Sequence, residues 1–98
     1  MHLHYLLTEQ VDSCGSRIEG AKVRQALKSL LNKENLVTVV VDFAGVSVCS
    51  SGFADEAFGK LFVELGDDEF TEKIQFANLS EFNFQIIDAA MLQRERGY

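Results

Sequence analysis

The sequence predicts an α/β domain in which a small, mainly parallel sheet packs with helices. Segments with strand character alternate along the chain with segments that have helical spacing, and the middle strand segment is continuously apolar. No proline interrupts this alternation. The 98 residues, of which 47% are hydrophobic and 24% charged, suffice for one core but not for two. We therefore expect a single domain over residues 1–98.

Three strands are expected. The first, 2–7, carries an apolar face on every second residue from Leu3. The second, 36–41, is apolar and β-branched without polar alternation, which is typical of a central strand covered on both faces. The third is predicted at 73–79. Because a three-stranded sheet leaves edges and part of a face uncovered, a homodimer is among the expected outcomes.

Three helices are expected between and after these strands. The first, 16–32, begins at a Ser-x-x-Glu capping box formed by Ser16 and Glu19. The second, 54–65, repeats apolar residues at every fourth position and ends at Gly66, where a left-handed residue commonly follows a helix. The last helix opens at Ser80.

Charge and composition exclude several classes of function. The net charge is −6, and the basic residues are spread along the chain, so neither nucleic acid nor an anionic membrane is an expected partner. The sequence has neither a segment of about 20 apolar residues nor a signal-peptide pattern, which predicts a cytoplasmic protein. Cys14 and Cys49 have no metal-site or disulfide-framework spacing and are expected to be free thiols.

The junction Cys49-Ser50-Ser51-Gly52 is the most informative stretch of the sequence. It lies where the central strand gives way to a helix, and the carboxyl ends of parallel strands form the usual working edge of such sheets. A serine here can cap the helix, which is the commoner role. It can also accept a phosphoryl group, which adds about −1.5 to −2 charge to an exposed helix start.

The stretch 39–53, which contains Ser50-Ser51-Gly52-Phe53, resembles the strand-loop-helix signature of STAS domains, the fold of anti-sigma factor antagonists. The resemblance implies a STAS-like fold, phosphorylation of the serine that aligns with Ser50, and a partner that is an anti-sigma factor or histidine-kinase-like ATPase. Cys49 departs from the signature, which has aspartate there. The stretches 51–61 and 13–20 are more closely similar to a small bacterial STAS-like family whose function is not established.

From these features we predict a non-enzymatic signalling module that binds a partner protein, with no cofactor. The phosphorylation candidates are Ser50 and Ser51. The partner-binding candidates are Cys49, Gly52, Phe53, Asp55 and Glu56. The two acidic residues have a simpler alternative role, since carboxylates are favoured near a helix start. Gly59 within the same helix predicts a close backbone contact.

An alternative function is the sensing of a small ligand or nucleotide. The loop 13–17 offers Ser13, Gly15, Ser16 and Arg17 as a possible anion site, which would act together with the loop 50–52. A single glycine is a weak signal for such a site, and the capping box already accounts for Ser16.

Metal binding and catalysis are not expected. His2 and His4 share a strand face, but two histidines do not complete a metal site. Cys49 would need a base to act as a nucleophile, and the sequence offers only these two histidines.

Overall fold

The computed structural model describes residues 2–33 and 38–97. It contains three strands, β1 (His2–Leu6), β2 (Thr38–Asp42) and β3 (Ile74–Ala77). They form one sheet in the order β1-β2-β3, and both pairs are parallel. The α/β prediction and the central place of the second strand are confirmed. The predicted positions Leu36 and Val37 lie outside the described residues.

The described residues also form six α-helical segments. They are α1 (Leu7–Gln10), α2 (Arg17–Leu31), α3 (Ser51–Ala54), α4 (Lys60–Leu65), α5 (Asp67–Lys73) and α6 (Glu81–Glu95). A π-helical turn, Asp55–Gly59, joins α3 to α4, so one continuous helix runs where the sequence predicted a plain α-helix over 54–65. The helix α5 was not predicted. Gly66 does end α4 at a φ of 88°, but the three acidic residues after it begin a new helix.

The core lies between one face of the sheet and the helices. Val39 and Val41 are fully buried beneath a cluster of phenylalanine rings. In that cluster Phe58 packs edge-on against Phe76 with ring centroids 5.3 Å apart, and against Phe53 at 6.2 Å. The opposite face of β2 is only half-buried at Thr38 and Val40. The expectation that the central strand is covered on both faces is therefore wrong for the described residues, because valine is also tolerated at half-buried strand positions.

Three helices begin with the same serine cap. Ser16, Ser50 and Ser80 each accept a hydrogen bond on Oγ from the amide three residues later, at 3.2, 3.0 and 3.1 Å. Only the serine half of the capping box at Ser16 is formed. The Glu19 carboxylate, which would complete it, lies 3.5 Å from the ammonium of Lys22. None of the described helices has the length and apolar character needed to cross a membrane.

Candidate functional site

The two loops singled out in the sequence meet at the carboxyl edge of the sheet. The amide of Ser50 donates a hydrogen bond of 2.9 Å to the carbonyl oxygen of Cys14. This bond ties the loop before α2 to the loop before α3. The two serine-capped helix starts at Ser16 and Ser50 therefore lie side by side, as expected for parallel strands followed by helices.

Ser50 and Ser51 have different roles in this arrangement. The hydroxyl oxygen of Ser50 accepts the amide of Phe53, so the predicted cap is confirmed and belongs to Ser50. Ser51 is the first residue of α3 and is exposed, whereas Ser50 is half-buried. Ser51 is therefore the serine whose hydroxyl is more accessible to a partner.

Ser51 lines a groove of about 510 Å³ between the start of α3 and α6, which we call the serine groove. Phe82 stands at this groove with 58% of its surface exposed. The rest of its lining combines two arginines, two glutamines, one aspartate and three apolar residues: Arg17, Asp55, Gln85, Ile86, Ala89, Ala90, Gln93 and Arg94. An exposed aromatic ring beside hydrogen-bonding side chains is typical of protein-binding surfaces.

Asp55 connects three helical segments beneath this groove. Arg94 of α6 donates to it twice, from Nε at 2.7 Å and from a terminal nitrogen at 2.8 Å, and Arg17 of α2 donates once at 2.8 Å. These bonds, those of Arg94 first, hold the pKa of the Asp55 carboxyl at about 2, below its ordinary value of 3.8. The Asp55 side chain is only 16% exposed. The negative charge of Asp55 is therefore paired with arginines of the same protein.

Glu56 is held in a similar way. Its carboxylate lies 2.9 Å from the ammonium of Lys60 and 3.0 Å from the guanidinium of Arg24, which also donates to the Glu56 carbonyl. The hydrogen bonds from Lys60 and Arg24 lower the pKa of Glu56. Neither Asp55 nor Glu56 presents a free carboxylate to a partner. The alternative expected from the sequence was that these carboxylates interact favourably with the helix dipole. In the structure each of them also forms ion pairs with particular basic side chains.

Cys49 and Phe53 lie in the interior of the protein and not on its surface. Both are fully buried, and Phe53 belongs to the aromatic core. The amide of Cys49 donates to the side-chain oxygen of the buried Asn83 at 3.0 Å, which links the loop before α3 to α6. Burial, and secondarily Cys14, raises the pKa of the Cys49 thiol to about 11. That shift is opposite to the one that activates a nucleophilic cysteine.

Two glycines of this helix allow close packing around Asp55. A Cβ at Gly52 would lie 3.0 Å from Cγ of Arg17, so the glycine lets Arg17 cross the helix start. A Cβ at Gly59 would lie 2.9 Å from a carboxylate oxygen of Asp55 and 3.2 Å from the carbonyl of Ala90. The close contact predicted at Gly59 is confirmed.

The four predicted anion-binding residues do not line one common cavity. Ser13 accepts the amide of Gly15 at 3.3 Å and lines a separate cavity of about 330 Å³. Ser16 caps α2, and Arg17 turns away into the serine groove to bind Asp55. The loop does not gather free donors at one point.

A polar cluster lies at the carboxyl end of β2. Asp42 accepts hydrogen bonds from the side chain of Asn78 and the amide of Ala44, both at 2.8 Å, and lies 2.6 Å from Nε2 of His4. These bonds, that of Asn78 first, hold the pKa of Asp42 at about 2. His4 is thus bonded to Asp42, and both His2 and His4 are exposed. Within 2–33 and 38–97, no three His, Cys, Asp or Glu residues group as metal ligands would.

Sequence reasoning gave no role at this site to Phe82, Asn83 or Arg94, which all lie on α6. Their roles depend on how α6 packs against the helix after β2, and this packing leaves no local pattern. The one signal was indirect, because a glycine inside a helix, at Gly59, indicated that another element approaches closely.

Comparison with protein families adds one finding. Residues 19–82 match the family described as "STAS-like domain of unknown function (DUF4325)". No curated protein and no solved structure matches the chain. The match begins at Glu19 within α2, includes β2 and the whole helix from Ser51 to Leu65, and ends at Phe82 in the first turn of α6.

Proposed function

Since the chain belongs to this STAS-like family, we propose that it is a regulatory module that binds a partner protein through the serine groove. The observation that carries the proposal is the pairing of the exposed Ser51 with the exposed ring of Phe82 across one groove. Two more exposed apolar side chains belong to the neighbouring helix start and loop, Ile18 at 72% and Val48 at 60%. Exposed apolar side chains contribute to the binding free energy where a partner covers them and excludes water.

The proposed partner is an anti-sigma factor or a histidine-kinase-like ATPase. This partner class comes from the resemblance of the Ser50-Ser51-Gly52 junction to anti-sigma factor antagonists. In this proposal the module acts without catalysis and without a cofactor. The elevated pKa of Cys49 supports a non-catalytic role for that thiol.

We propose that the switch is phosphorylation, and that Ser51 is its main site. Ser50 is half-buried and its hydroxyl oxygen already accepts the amide of Phe53. A phosphoryl group on Ser51 would place about −1.5 to −2 charge in the groove beside Arg17. It would compete with Asp55 for that guanidinium and change the charge and shape that a partner meets.

Site-specific photo-crosslinking tests the surface before the partner is known. A benzophenone side chain is introduced at Phe82 in one variant and at Phe84 in another, and both are irradiated in the host cell. Phe84 is the matched control because it is also on α6 and 51% exposed but does not line the groove. We expect an adduct from position 82, identified by mass spectrometry as an ATPase or anti-sigma factor. Adducts of equal yield from both positions would contradict the proposed surface.

Serine substitutions separate the switch from the cap. With the identified partner and ATP, we expect phosphate incorporation into wild type and Ser50→Ala but not into Ser51→Ala, as measured by mass spectrometry. Ser50→Ala should lower the free energy of unfolding by about 1 kcal/mol because it removes the cap, while Ser51→Ala should change it little. Phosphate on Ser51→Ala at the wild-type level would remove Ser51 from the proposal.

The alternative function, a nucleotide or anion sensor, has a simple test. A ligand at 100 times its dissociation constant should stabilise the protein by about 2.7 kcal/mol, which a thermal shift assay detects readily. Because Arg17 is bound to Asp55 and Ser16 caps a helix, we expect no shift with a panel of nucleotides and inorganic phosphate. A reproducible shift that Ser13→Ala abolishes would favour the sensor instead.

A further inference from the structure

A second groove lies on another side of α6 and has a different electrostatic character. Its volume is about 440 Å³, and it is bounded by α4, α5, β3 and α6. The floor is apolar and largely aromatic, formed by Phe62, Phe70, Ile74, Phe76 and Met91. Leu92 stands at the groove with 42% of its surface exposed. We call this the acidic groove because of the residues at its rim.

Three carboxylates surround this apolar floor. They are Asp67 at the start of α5, and Asp88 and Glu95 on α6. None of the ion pairs among the described residues involves any of the three. Their charges therefore differ from those of Asp55 and Glu56, which are neutralised within the fold. The acidic groove therefore has three carboxylates outside these ion pairs, around an apolar floor and the exposed side chain of Leu92.

The spacing along α6 adds a geometric constraint. Asp88, Met91, Leu92 and Glu95 follow the i, i+3, i+4, i+7 pattern and so form one stripe along the helix. The two carboxylates at its ends are separated by seven residues, or about 10 Å along the axis, with the apolar pair between them. A partner helix lying along this stripe would be complementary to it if that helix carried two basic residues seven positions apart, with apolar residues between them.

From this complementarity we propose that the acidic groove binds an amphipathic helix of a partner protein that carries Lys or Arg seven positions apart. The apolar face of that helix would cover Leu92 and Met91, and its basic residues would face Asp88 and Glu95. This is the helix-in-groove mode of recognition. The proposal does not depend on the serine groove, so the module would have two separate contact surfaces for protein partners.

Two synthetic helical peptides test the proposal. One carries Lys at positions i and i+7 around a leucine-rich face, and the other is identical except for Glu at those two positions. Fluorescence anisotropy at low ionic strength measures the affinity of each for the purified protein. We expect saturable binding of the Lys peptide, weakened by added salt, and at least tenfold weaker binding of the Glu peptide.

Matched variants separate the groove from the general negative charge of the protein. Asp88→Asn with Glu95→Gln should weaken Lys-peptide binding about fivefold. The control pair Asp68→Asn with Glu72→Gln makes the same change in net charge on exposed residues outside the groove and should leave binding within about twofold. Leu92→Asn should weaken binding about tenfold through lost apolar contact. Circular dichroism checks that each variant is folded.

Three results would overturn the proposal. The first is equal affinity for the two peptides, and the second is equal effects of the groove pair and the control pair. The third comes from sedimentation velocity. A dimer that Leu92→Asn converts to a monomer would assign the acidic groove to a second copy of this chain.

Discussion

Replacing Asp55 by alanine should lower the free energy of unfolding by about 2 to 3 kcal/mol. The substitution removes three charge-assisted hydrogen bonds and leaves Arg94, which is only one-third exposed, without its carboxylate. The figure is kept below that of a fully buried ion pair because both arginines reach solvent. Urea unfolding of the variant and wild type measures the difference. Asp68→Ala, at an exposed aspartate outside this network, is the control and should cost well under 1 kcal/mol.

The same substitution should change the pH dependence of stability. Because the folded-state pKa of Asp55 is about 2, below the ordinary 3.8, its contribution is fully present above about pH 4. It is lost as the pH falls from about 4 through 2. Asp42 titrates in the same window, so Asp55→Ala should flatten this acid limb without abolishing it. Wild type and Asp55→Ala losing stability equally over that range would contradict the assigned role of Asp55.

Replacing Gly20 by alanine should destabilise the protein by about 2 kcal/mol. A Cβ at this position of α2 would lie 2.6 Å from the carbonyl oxygen of Phe53 and 2.9 Å from Cβ of Glu56. The first contact is with backbone, so the two helices must move apart. The cost of overpacking exceeds the gain of about 1 kcal/mol that alanine has over glycine within a helix.

The control for Gly20→Ala is Gly15→Ala in the preceding loop. A Cβ at Gly15 would lie 3.6 Å from Oγ of Ser13, which is an ordinary contact, so its effect should be within about 0.5 kcal/mol. Thermal unfolding of both variants makes the comparison. If Gly20→Ala is as stable as wild type, α2 does not pack against Phe53 and Glu56 as closely as these distances require.

The parts of the fold that the sequence predicted are those with local signals. The serine caps, the glycine end at Gly66 and the β-branched central strand each follow from a few neighbouring residues. The helix α5 was missed because Asp67-Asp68 after a glycine is equally typical of a turn. The half-buried face of β2 was not predicted because β-branched residues occur on half-buried strand faces as well as on fully buried ones.

The candidate site was predicted less completely for a physical reason. Ser51 and the junction are local features, whereas the serine groove exists only because α6 packs against the helix that follows β2. Asp55 and Glu56 were identified from sequence, but whether their charges are free depends on Arg17, Arg24 and Arg94, which lie about 30 to 40 positions away. Such long-range ion pairs cannot be inferred from one sequence.

The central claim is that the partner binds at the serine groove. Calorimetric titration with the partner that photo-crosslinking identifies tests this claim most directly. Phe82→Ser removes the exposed ring at the groove, and Phe84→Ser removes a similarly exposed ring of the same helix outside it. We predict that Phe82→Ser weakens binding at least tenfold, about 1.4 kcal/mol, while Phe84→Ser changes it less than about twofold. Equal affinities for the two variants would contradict the claim.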